Sequence, residues 1–217
     1  MIKKQNSKKA FSLIEMGIVL IVIGIIIAAS MTGGDIIKSA DTKQFYQNFA
    51  GKWSVVINGY YDRMGKELAD NHSDLANSDN TPNGYFDGVE PTQSDIEGAG
   101  INLAKSITTN QPEKTRYMVD GEFTGYKIVT IKLGSYKADG TINNYIILTN
   151  IPKDIAVSID RYVDGASNGT NGNVIVLQKT VSDTDLPLNY VSGDTDISKY
   201  SYEDIGTITN IGILVEH

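Results

Sequence analysis

The 217-residue chain contains no cysteine, so disulfides and thiolate metal sites are excluded. An exported domain of this kind relies on its core, on assembly or on a hard metal ion. Histidine is scarce: only His72, in a polar stretch, and His217, the last residue. No His/Glu zinc spacing, phosphate loop or serine elbow is present, and the expectation is a protein that is not an enzyme. Positive charge is also in deficit, with 19 Lys and Arg against 26 Asp and Glu and a formal net charge of -7. Phosphate binding needs clustered Lys and Arg, so nucleic acid is not an expected partner. Aromatics make up 8% of the chain, too few to suggest an electron-conducting array.

What the chain does hold is one long apolar run behind a basic leader. Residues 1–10 carry Lys3, Lys4, Lys8 and Lys9 and no acid. Phe11 to Met31 then form a 21-residue apolar stretch. A helix of that length rises roughly 30 Å, about a bilayer core, and the lysines place its N-terminal end on the cytoplasmic side. A secretory signal peptide is one alternative, with Ala28-Ala29-Ser30 imitating its cleavage site, although its apolar stretch is usually about 7–15 residues. An ordinary single-span anchor is the other, and it fits the length equally well. Glu15 separates these readings, because a carboxylate this deep in a spanning segment costs about 2–3 kcal/mol and usually has a function.

The segment Lys8-Lys9-Ala10-Phe11-Ser12-Leu13-Ile14-Glu15-Met16 resembles the prepilin signature of type IV pilins and type II secretion pseudopilins. The family usually has Gly where Ala10 stands. The resemblance implies cleavage between Ala10 and Phe11 by a prepilin peptidase, N-methylation of Phe11, and Glu15 as the fifth mature residue and the assembly determinant. The new amine keeps its charge, and Glu15 can neutralise it within the subunit or on a neighbour. Desolvation offsets much of that attraction, so the pair selects register more than it adds stability. Gly17 and Gly24 permit close helix approach. Cleavage removes four lysines and leaves the exported part distinctly acidic.

Gly33-Gly34 weaken the helix by roughly 1–2 kcal/mol, as a kink or as a site of melting. Beyond them Phe45, Phe49, Trp53, Val56, Tyr60 and Met64 recur at steps of three or four, one apolar stripe on a helix ending near Gly65. The period then changes. Tyr126 to Leu133, Asn144 to Thr149, Asn173 to Thr180 and Thr207 to Val215 read as strands. Asp139-Gly140 is a turn pair closing a hairpin. Pro152 to Val163 reads as a helix, with Pro152 in its first turn, Ile155, Ala156, Ile159 and Val163 on one face, and Gly165 as its stop. Tyr60-Tyr61-Asp62-Arg63-Met64-Gly65, then an Asp/Asn/Gly-rich loop, then Ile151-Pro152 with Ile159-Asp160 and Asp164-Gly165, resembles a group of pilin-like proteins with larger exported domains.

The expected fold is therefore α+β and pilin-like, a long N-terminal helix packed on an antiparallel sheet. The expected division is leader 1–10, transmembrane and filament-core helix 11–31, amphipathic continuation 32–70, and exported globular domain 71–217. The resemblance implies a structural subunit, a minor one, of a type IV pilus or a type II secretion pseudopilus. It also implies other pilin-like subunits, a prepilin peptidase, an inner-membrane assembly platform, an assembly ATPase and the membrane as partners. The subunit would cross the inner membrane once, with its domain periplasmic or extracellular, and then enter a filament. A monomeric membrane-anchored binding protein and a pilus-tip adhesin are the competing readings.

One loop has calcium-like spacing. Asp79, Thr81, Asn83, Tyr85 through its carbonyl, Asp87 and Glu90 fall at positions 1, 3, 5, 7, 9 and 12 of a twelve-residue loop, with Gly84 at the turn. The alternative is a solvated Asn/Gly loop without metal. No other cofactor is expected.

Overall fold

The computed structural model describes residues 12–68, 70, 83–178 and 197–216. The chain divides into two compact units, residues 1–41 and 42–217.

The first unit is helical. Helix α1, Leu13–Phe45, starts at Ser12 and passes Gly33-Gly34 without a break. From Leu13 to Ile27 its only polar side chain is Glu15, so it has no polar face.

The second unit begins with the last turn of α1. A π-helical turn, Tyr46–Ala50, follows, and the Gly51 N–H donates to the Tyr46 carbonyl. Helix α2, Gly51–Met64, completes the rod. The π turn explains the four-residue steps of the apolar stripe. At 3.6 residues per turn such steps drift around the axis, and a wider turn brings Phe45, Phe49 and Trp53 back to one side. Phe45, Phe49, Trp53, Val56 and Tyr60 are buried as expected. Ile57 is buried with them, while Met64 is 39% exposed, because the rod has turned by its last residue. Gly65, at φ +66, ends the helix, so the continuation expected to residue 70 stops at Met64.

Six strands form one antiparallel sheet: β1 (Asp87–Val89), β2 (Arg116–Gly121), β3 (Gly125–Ala138), β4 (Thr141–Pro152), β5 (Val174–Gln178) and β6 (Ile208–Leu214). Their order is β1-β3-β4-β6-β5, with β2 also on β3. Register puts β1 and β2 end to end on the side of β3 away from β4. Helices α3 (Gln93–Ile96) and α4 (Leu103–Ser106) lie between β1 and β2, and α5 (Lys153–Asp164) connects β4 to β5. The architecture is thus α+β with an antiparallel sheet.

Alternation gives the sheet two buried faces. Val129, Ile131 and Leu133 of β3, with Ile146 and Leu148 of β4, share the main core with Phe49, Trp53 and Ile57. Tyr136, Tyr145, Ile147 and Ile175 form a smaller cluster, against which Leu177, Ile197 and Leu214 pack. Gly212 makes room there, since a Cβ on it would lie 3.1 Å from the Tyr145 ring. The Asp139-Gly140 hairpin forms as expected, with both residues at positive φ between the paired Ala138 and Thr141. Pro152 differs from expectation: it closes β4 and caps α5 from outside, and Lys153 is the first helical residue.

Two side chains complete the hydrogen bonding of the sheet, one along the edge of β2 and one where two ladders shift register. Asn110 accepts from the Met118 N–H at 2.8 Å and donates to the Met118 carbonyl at 3.0 Å, imitating a strand along the edge of β2. Asn210 lies where the register of β6 shifts against both β4 and β5.

Candidate functional site

Two regions carry chemistry, one in each unit. The first is the start of α1. The Ser12 hydroxyl accepts from the Glu15 N–H at 3.2 Å, and the Glu15 carboxylate accepts from the Ser12 N–H at 2.8 Å. This is a capping box, which satisfies two helix-end donors reciprocally. Glu15 therefore has a local structural role that its spacing from the leader did not reveal, although Ser-x-x-Glu is itself the signature. Ala10 and Phe11, the expected cleavage and methylation residues, lie outside the described residues.

On both sides of Glu15 every large apolar side chain from Leu13 to Ile27 is exposed, from 46% at Ile23 to 94% at Leu13. Cβ positions at Gly17 and Gly24 are open. Among the described residues no helix is long and apolar enough to cross a membrane. Side chains on α1 are described from Ser12 to Ala28 and again from Ile36, so part of the 11–31 run lies outside them.

The expected calcium loop is described in part. Asp79 and Thr81 lie outside the described residues. Gly84 has the positive φ expected of the turn. The Asn83 carboxamide accepts from the Tyr85 N–H at 2.9 Å. Asp70 is buried and accepts from the Asn83 N–H at 2.9 Å and the Gly84 N–H at 2.7 Å. Asp87 is buried in β1, paired with Gly134. Glu90 takes the Thr115 hydroxyl and stands 3.8 Å from Arg116. Among the described residues no group of three or more His, Cys, Asp or Glu is placed to hold a metal ion.

The second region is the end of α5. Asp160 and Asp164 are one turn apart, at the helix end where the dipole disfavours carboxylates. Gly165, at φ +78, turns the chain, and residues 165–173 fold back over both acids. Asp160 Oδ2 accepts from the N–H groups of Asn168 at 3.1 Å and Gly169 at 3.0 Å. Asp164 Oδ1 accepts from Asn173 at 3.0 Å and its Oδ2 from Val174 at 2.9 Å. Asp160 is fully buried, and its Oδ1 has no hydrogen-bond donor. Burial, opposed by the Gly169 N–H and reinforced by Asp164, pushes the Asp160 carboxyl up to about 6. The Tyr202 hydroxyl donates to the Ala156 carbonyl at 3.2 Å, and burial, with Asp160 next, pushes that phenol up. In the sequence the only signal was two acids four apart before a Gly- and Asn-rich loop.

No protein-family model, no curated protein and no solved structure matches this chain.

Proposed function

We propose that this chain is a structural subunit, a minor one, of a type IV pilus or type II secretion pseudopilus. One observation carries the reading: from Leu13 to Ile27 the helix is apolar on every side and its large side chains are exposed, and the one carboxylate of that stretch, Glu15, sits in the first turn. Such a surface is stable only against lipid or other apolar helices. The subunit would rest in the inner membrane through this helix, with residues 42–217 outside, and then exchange lipid contacts for helix contacts in a filament. The pilin-like arrangement of helix on antiparallel sheet belongs to this reading. So do a prepilin peptidase, an assembly platform and other pilin-like subunits as partners.

Glu15 would act in two settings. In the free subunit its carboxylate closes the cap with Ser12. In the filament it would face the methylated amine of Phe11 on a neighbour, where opposite charges in low dielectric fix the register.

Intact-mass analysis of the chain from its native membrane is the test. The reading expects a chain that begins at methylated Phe11. A chain that keeps residues 1–10, or one cut after the apolar run, overturns it. A monomeric anchored binding protein would keep its location and its ligand when Glu15 is neutralised, whereas a filament subunit would lose assembly.

A further inference from the structure

Four exposed apolar side chains gather on the hairpin that joins β2 to β3. Alternation sends Tyr117, Val119 and Gly121 toward the core and leaves Met118 and Asp120 on the opposite face. Register sets Met118 beside Ile128 and Asp120 beside Tyr126 on that face. Phe123 stands in the 121–125 turn and is 76% exposed, and Tyr126 is 71% exposed. Single exposed apolar residues are ordinary, whereas four that adjoin on one surface mark a contact.

The hairpin is held in place. A Cβ on Gly121 would stand 2.6 Å from the Pro152 Cβ, and the Glu122 N–H donates to Asp154 Oδ2 at 3.0 Å. The turn therefore presents its side chains with little ordering cost.

Three contacts along the rod show where the turn points. A Cβ on Gly98 would meet Met64 at 3.2 Å. The Trp53 indole donates to the Lys114 carbonyl at 3.1 Å. The Tyr117 ring lies 5.3 Å from Phe49 and 5.0 Å from Phe45. From residue 98 to residue 117 the chain thus descends the rod from Met64 to Phe45. Strand β2 continues four residues beyond Tyr117 to Gly121, about 13 Å. Thr42, where the chain enters this unit, is three helical residues before Phe45, about 5 Å. The hairpin accordingly reaches the entry end of the unit. That end is tethered to the apolar run by the eleven residues from Met31 to Thr42 (42 minus 31), roughly 16 Å as helix.

We propose that the β2–β3 hairpin is a membrane-interface contact, with Met118, Phe123, Tyr126 and Ile128 resting in the headgroup layer of the bilayer that holds residues 11–31. The inference rests on the membrane reading of that run and extends it to the folded unit. The chemistry suits the interface: Tyr126 offers an apolar ring with a polar tip, the kind of side chain enriched at that depth. Asp120 and Glu122 are exposed beside it and resist deeper entry. Such a contact fixes the orientation of the unit on the membrane and is given up when the subunit leaves the bilayer.

The chain has no cysteine, so a nitroxide on Thr124→Cys or Thr141→Cys is a unique reporter. Thr124 adjoins Phe123, and Thr141 opens β4 at the far end of β3, about 43 Å away. The full chain is placed in phosphatidylcholine nanodiscs, one copy per disc. The label at 124 should be several-fold less accessible to a water-soluble nickel relaxant than the label at 141, and more accessible to oxygen. Adding Phe123→Ser and Tyr126→Ser to T124C should abolish the difference. A label at 124 as wet as that at 141, in discs that hold the chain, overturns this proposal and leaves the membrane reading standing. A chain that fails to enter the discs overturns both. Protection at 124 that appears only when many chains share one vesicle also overturns it, and assigns the surface to a second copy.

Discussion

A Cβ placed on Gly172 would lie 2.5 Å from a carboxylate oxygen of Asp164. The residue also sits at φ +98, a conformation that side chains with a Cβ rarely adopt. Gly172→Ala therefore meets strain and collision together. Its expected cost is about 2–3 kcal/mol, read as a lower urea midpoint with an unchanged slope. Gly140→Ala, at φ +81 with open space around it, should cost less, since it adds strain alone.

Trp53, the only tryptophan, is fully buried and donates from its indole to the Lys114 carbonyl at 3.1 Å. It ties α2 to the segment entering β2. Trp53→Phe should cost about 1–3 kcal/mol because the carbonyl loses its donor. Trp53→Ala should cost about 3–5 kcal/mol because a cavity opens as well. Circular dichroism during urea unfolding measures both. In wild type the tryptophan emission should move to longer wavelength in the same transition.

Asn210 is fully buried, accepts from the Asn150 N–H at 2.9 Å and donates to the Gln178 side chain at 2.6 Å. It thereby joins β4 and β5 where both ladders shift against β6. Asn210→Leu keeps the approximate volume and leaves the Asn150 donor buried without an acceptor, at a cost of about 2–3 kcal/mol. Stability equal to wild type would show that water or a backbone shift replaces the amide.

Glu15→Gln separates the two roles of that residue. Glutamine can still accept from the Ser12 N–H, so the cap and the helicity of α1 should persist. The charge is gone, and under the filament reading assembly should fail, seen as loss of this subunit from the sheared filament fraction with unchanged membrane-bound subunit. Ser12→Ala should do the reverse, costing about 1 kcal/mol of local helix stability while the charge of Glu15 remains.

The long helices, their stops and the hairpin were legible because their causes are local, whereas the short α3 and α4 left no period long enough to read. Gly65 and Gly165 end α2 and α5, and Asp139-Gly140 closes the hairpin, through the backbone freedom of one or two residues. The stripe from Phe45 to Tyr60 was readable because burial of one helix face leaves a period in the sequence. Ile57 was missed although it lies four residues after Trp53 on the same face of α2, and Met64, the last residue of that helix, was counted into the stripe; the π turn that keeps Phe45, Phe49 and Trp53 in phase is an insertion no periodicity rule anticipates.

Other features depend on residues far apart in the chain. Strands β1 and β2 carry little alternation of their own and exist because β3 offers them an edge. In the sequence Asp160 and Asp164 stand only within the pilin-like resemblance and carry no sign of burial. Their burial follows from where the returning loop and Tyr202 come to rest, and desolvation depends on everything within a few ångströms, whatever its sequence distance. Backbone preference and hydrophobic period were thus written in short stretches of residues, while the electrostatic character of Asp160 arose from packing between segments that no short stretch contains.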